Sequence, residues 1–123
     1  LIDDPENLVY EGVRDLDSSK TYKDLLYGDV HEQVQAILSI SQHDDWYFAQ
    51  DVCLKYPRHP NPDVRNISII GLSHVARIHR AIEIGSVLEL VSDLSNAGRD
   101  HASIEDMFND IMIFVVQQGR RAV

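Results

Sequence analysis

Six histidines, one cysteine and twenty carboxylates are the residues of this 123-residue chain best suited to chemistry, and their spacing decides whether any of it can be used. Two histidines on one helix share a metal ion only at a separation of three or four, whereas His74 and His79 stand five apart, about 140° around the cylinder. His59 and Asp63 have the right separation, but Pro60 and Pro62 break the helix between them. There is no CxxC, HExxH or EF-hand pattern, no glycine-rich phosphate loop and no GxSxG, and the serines lack a histidine and an acid at interpretable spacing. Cys53 lies on an apolar helical stripe and reads as a buried, inert thiol. An unpaired cysteine favours a reducing compartment, so the expected location is the cytoplasm. These residues point to no catalytic centre, no metal and no cofactor. An enzyme of the DNA-repair type, built from dispersed acids on a helical scaffold, is the weaker alternative.

Charge offers a different chemistry, that of recognition. The formal net charge is −9, and up to Asp45 there are 11 acidic against 3 basic residues, whereas beyond it there are 9 against 8. Carboxylates gathered in this way meet a basic cleft and speed encounter with it through long-range attraction, although they also serve plain solubility. Asp44, Asp45, Tyr47 and Asp51 fall on the exposed side of one expected helix. Asn66, Ser73 and Arg77 fall on the next, and together these seven form the expected partner-binding set. Asp44 and Asp45 have a second reading, as caps that polarise a helix start. Lys55, Arg58, Arg65, Arg77 and Arg80 reverse the local balance against Asp63, but they are spread around two helices and a corner, so direct nucleic-acid binding is disfavoured.

The elements that position these residues can be read around the proline cluster. Pro57, Pro60 and Pro62 lie within six residues, and no helix survives that run. Asn61 then caps, Pro62 suits a first helical position and Asp63 meets the positive helix end, so a helix begins at about Pro62. Val64, Ile67, Leu72, Val75 and Ile78, with Gly71 and Ala76 among them, continue it at helical spacing, and Gly71 admits a close neighbour. Before the corner, Trp46, Ala49, Val52, Cys53 and Tyr56 make one stripe. The pattern recurs approximately. Val30, Val34, Ile37 and Leu38 precede the second stripe by 34 residues, and Ile104, Met107, Ile111, Met112 and Val115 follow it by 40. Ile84, Val87, Leu88, Val91 and Leu94 supply the first helix of the later pair.

The string PNPDVRNISIIGLSHVAR resembles the HEAT repeat, in which two helices meet at a Pro/Asp-rich turn and the second opens with Val-Arg. The likeness is specific at Asp63, Val64 and Arg65 and covers the chain weakly from about Thr21 onward. It implies that Arg65 braces neighbouring units through a carboxylate, and Asp63, Arg65 and Gly71 are read as structural. Ile67 and Ser68 depart from the small apolar residues that the family prefers there. More narrowly, TYKDLLYGDVHEQVQAILSI, HDDWYFAQDVCLKY and GLSHVARIHR resemble a group of small bacterial HEAT-like proteins, some of them similar to immunity proteins of contact-dependent growth inhibition systems. That resemblance implies a protein partner, a basic, nuclease-like toxin domain blocked by occlusion, with a general interaction scaffold as the alternative.

The resulting expectation is an all-α, short HEAT-like α-solenoid of about three helical hairpins in a single domain, 1–123, with residues 1–20 an acidic segment outside the repeat pattern. The start, LIDDPENLVYEGV, is acidic where a signal peptide would be basic and then apolar. Its first residue is Leu1 rather than Met, which suggests a trimmed terminus. The longest apolar run, Ile111 to Val116, is too short to span a bilayer and continues a helical stripe. Neither membrane nor cofactor is expected.

Overall fold

The structure, a computed structural model, describes residues 19–117. Its helices are α1 (residues 19–27), α2 (Val30–His43), α3 (Trp46–Lys55), α4 (Pro62–His79), α5 (Ile84–Ala97) and α6 (His101–Ile111). A 3-10 turn, Tyr56–Arg58, follows α3, and a π-helical segment, Met112–Val116, extends α6. No strand occurs among the described residues.

Local chemistry sets the helix boundaries. Asp29 and Glu32 form a reciprocal box at the start of α2: the Asp29 carboxylate accepts from Glu32 N at 2.8 Å and the Glu32 carboxylate from Asp29 N at 2.9 Å. Asn61 Oδ1 accepts from Asp63 N at 2.8 Å and from Val64 N at 3.4 Å, which starts α4 at Pro62. That helix ends on Arg80 in a left-handed conformation, φ 56°, unusual for a residue with a Cβ. Gly98 ends α5 at φ 71°, where glycine costs nothing sterically.

Helix α4 is the hub, packing against α2, α3 and α6, while α3 also meets α2 and α5. The even helices therefore lie side by side in one layer, and α3 and α5 lie in a second. α1 joins the second layer through an edge-to-face contact of Tyr22 on Phe48, centroids 5.7 Å apart. Successive even helices run parallel, because Asn66 meets Ser103 near the starts of α4 and α6 and Arg77 meets Asp110 farther along both. The fold is thus all-α and helical-repeat-like, built from three hairpins.

The core fills the space between the layers. Ile37, Ile40, Ala49, Cys53, Ile69, Leu72, Val75, Val87, Leu90, Leu94, Met107 and Ile111 are buried. Each large member contributes roughly 1.5–3 kcal/mol by leaving water. Gly71 sits at the closest approach, where a Cβ would stand 2.5 Å from Cys53 Sγ and 3.2 Å from Ser41 Cβ. No larger residue fits between the three helices there without movement.

Three stripe assignments change, at Leu88, Ile78 and Met112. On α5 the buried series is Val87, Leu90 and Leu94, and Leu88 is 47% exposed. Leu88 lies one position out of phase with the face turned toward α3. Ile78 is exposed at the end of α4. The run from Ile111 to Val116 is helical, but all of it beyond Ile111 is π-wound, with Gln117 N donating to Met112 O. The wider turn carries Met112 and Ile113 outward while Val115 returns to the core. The acidic positions Asp3, Asp4, Glu6, Glu11, Asp15 and Asp17 lie outside the described residues.

Candidate functional site

The seven residues expected to bind a partner fall into two groups on different layers. Asp44, Asp45, Tyr47 and Asp51 form a corner where α2 passes into α3. Asn66, Ser73 and Arg77 line the seam between α4 and α6. The structure unites each group but does not bring the two together.

At the corner, Asp45 caps α3, accepting from Phe48 N at 3.2 Å and Tyr47 N at 3.4 Å. Asp44 accepts from the Tyr22 hydroxyl at 2.7 Å. That bond, followed by partial burial and the Asp44 charge, raises the Tyr22 pKa above the usual phenol value. Asp51 lies one turn along α3, 3.7 Å from Lys55, in an exposed pair of little energetic weight. Tyr47 is 56% exposed and Phe48 also faces solvent. Trp46 is half-buried, edge-on to Tyr47 with centroids 5.4 Å apart, and packs against the core. The corner therefore offers two exposed rings flanked by Asp45 and Asp51. Sequence reasoning missed Phe48 and Tyr22; the only signal for them was aromatic side chains just off the apolar stripe.

The seam is built as a ladder. The Ser103 hydroxyl donates to Asn66 Oδ1 at 2.5 Å, and Arg77 Nε stands 3.6 Å from Asp110. Between these rungs a cleft of about 370 Å³ is lined by Ile70, Ser73, Arg77, Asp106, Asn109 and Asp110. Ser73, expected on the surface, is only 6% exposed because α6 covers that side of α4, so a partner would meet it at the cleft floor. A second cleft of about 500 Å³ opens between α2 and α4, lined by Val30, His31, Val34, Asp63, Asn66 and Ile67.

Of the residues read as structural, Arg65 and Gly71 lie where helices meet. Arg65 is buried, its Nε 3.1 Å from Asp100 Oδ2, while Nη1 donates to the carbonyls of His59 at 3.2 Å and Pro60 at 3.0 Å. One guanidinium thus ties the proline corner of the second hairpin to the turn of the third. Arg58 and Asp93, at 2.6 Å, make a more exposed link between the same hairpins. Buried Gln50 accepts from Glu83 N at 2.5 Å and donates to the Glu83 carboxylate at 3.0 Å, seating the start of α5. Asp63 lies exposed in the first turn of α4, with negative charge at the positive helix end.

Titratable groups are scattered. Burial pushes the Cys53 thiol up to about 12, which removes it as a nucleophile near neutral pH. Burial, then the nearby Arg77 charge, lowers the His74 pKa, with Asp110 opposing; His74 Nδ1 lies 3.4 Å from Ser41 Oγ. Among the described residues no group of three or more His, Cys, Asp or Glu side chains is placed to hold a metal ion. No helix among them is long and apolar enough to cross a membrane. Comparison with known protein families, with curated proteins and with solved structures gives no match.

Proposed function

We propose that this protein is an immunity-type inhibitor, which binds a basic bacterial toxin domain acting on nucleic acid and neutralises it by occluding its cleft. The observation that carries this reading is the start of α3, where exposed Tyr47 and Phe48 lie along the helix between exposed Asp45 and Asp51. Aromatic rings supply large rigid contact area at low entropic cost, and flanking carboxylates take the place of substrate phosphates in a cationic cleft. The packed helices beneath fix the backbone that carries these groups. The HEAT-like resemblance of the α3–α4 hairpin, with its growth-inhibition kin, supports the same reading, as does the overall acidity. Such an inhibitor would act in the cytoplasm, where the thiol of Cys53 stays reduced.

This reading predicts a toxin-encoding reading frame directly upstream, and the test is co-purification with the domain that such a frame encodes. A one-to-one complex, loss of nuclease activity on mixing, and weakening of the complex as salt is raised would support inhibition. A toxin that keeps full activity in the presence of excess protein would overturn it. Tyr47→Ala and Asp51→Asn locate the contact: each should weaken the complex while leaving the helical circular dichroism unchanged. A complex that forms without inhibition would favour the general interaction scaffold instead.

A further inference from the structure

The α4–α6 seam carries a feature that neither packing nor capping accounts for. Ser73 is only 6% exposed, and its hydroxyl, which makes no hydrogen bond among the described residues, is not sealed in but keeps accessible surface. Its remaining opening is into the cleft. On the facing helix, Asp106 and Asp110 lie one turn apart and both line that cleft. The single cation on its wall, Arg77, stands 3.6 Å from Asp110, and Asp106 has no ion-pair partner among the described residues. The cleft lining thus carries one carboxylate without an opposing charge and one hydroxyl open to a ligand.

We propose that this cleft receives one cationic side chain, an arginine or a lysine, from the protein partner. Asp106 supplies the opposing charge, and Ser73 Oγ and the Asn109 amide oxygen accept further N–H bonds. Ile70 gives the methylene stem an apolar wall. A divalent cation fits poorly, since it seeks six or more oxygens and no third acid among the described residues joins Asp106 and Asp110. The uncharged hydroxyl and amide suit the several directed donors of a guanidinium or ammonium group. This inference rests on the partner being a basic protein, and it adds a contact on the layer opposite the Tyr47 corner.

The experiment needs no partner. The capped tripeptide Gly-Arg-Gly is titrated at low ionic strength into the ¹⁵N-labelled full chain, with the lysine analogue and magnesium chloride as parallel arms. The expected result is amide shifts concentrated at Ser73, Asn109 and Asp110, with either peptide and without magnesium. Asp106→Asn and Ser73→Ala should each weaken binding, Asp106→Asn by about two- to fivefold, as for a partly exposed ion pair. Asp106 is exposed, so its variant tests the cleft without threatening the fold. The proposal is overturned if the shifts collect at Asp45 and Asp51, if magnesium reproduces them, or if Asp106→Asn leaves the affinity unchanged. It also fails if replacing Arg120 and Arg121 by alanine alone moves the same resonances, which would make the chain's own tail the occupant. Because the probe is a peptide, a negative result here leaves inhibition through the corner standing.

Discussion

Replacing Gly71 by alanine separates tertiary packing from helix propensity more cleanly than any other change in this chain. In an exposed helix, glycine to alanine stabilises by up to about 1 kcal/mol. Here the added Cβ would lie 2.5 Å from Cys53 Sγ and 3.2 Å from Ser41 Cβ, and both of those side chains are fully buried. Neither can swing into solvent, so α3 or α2 must shift. Overpacking of this kind costs about 1–3 kcal/mol, which offsets the propensity gain and leaves a net loss of up to about 2 kcal/mol. Urea unfolding followed by circular dichroism reads this as a lower midpoint at constant m-value. The thermal midpoint should fall by about 4 °C for each kcal/mol lost. The closest clash falls at Sγ, so a double-mutant cycle with Cys53→Ala isolates it: the serine contact remains, but removal of the sulfur should restore much of the loss. A Gly71→Ala protein at least as stable as the parent, or a Cys53→Ala cost identical in both backgrounds, would refute the reasoning.

Three further outcomes follow from the joints of the fold. Arg65→Ala should destabilise by about 3–5 kcal/mol, because it strands the Asp100 carboxylate and two carbonyls, and Arg65→Lys should recover only part of that since one ammonium cannot reproduce the fork; chemical denaturation measures both. Cys53 should resist iodoacetamide at pH 8 in the native protein and react on unfolding, as mass spectrometry would show. The lowered His74 pKa means that the unfolded chain binds the proton more readily. Stability from this group is therefore complete above the unfolded value near 6.5 and is lost as pH falls toward the folded one. The urea midpoint should thus decline on acidification below pH 6.5 more steeply in the parent than in His74→Gln.

Much of the fold was legible in the sequence because its signals are local. The prolines at 57, 60 and 62, the Asn61 cap and the stripe through Val64, Leu72 and Val75 act within a turn or two of chain, and they set the corner and α4 where expected. What lay beyond reach depends on partners more than thirty residues away. Nothing in the pattern around Arg65 indicates that Asp100 is its acid, and Ser73 looks exposed on a helical wheel until α6 is laid over it. Leu88 and Leu90 have equal claims to the core by composition, and only the direction of α3 decides between them. The π-wound end of α6 was hidden for a related reason, since an all-apolar run gives no phase.

The bonds that join hairpin to hairpin span nearly constant intervals: Ser41 to His74, Gln50 to Glu83, Arg58 to Asp93, Arg65 to Asp100 and Asn66 to Ser103 are separated by 33 to 37 residues. Each such tie fastens one link to the next, so cohesion is passed along the chain from neighbour to neighbour in the manner of a short zip. The middle link, held from both sides, should be the last to let go, and slow amide exchange should persist longest along α4 as the outer links fray.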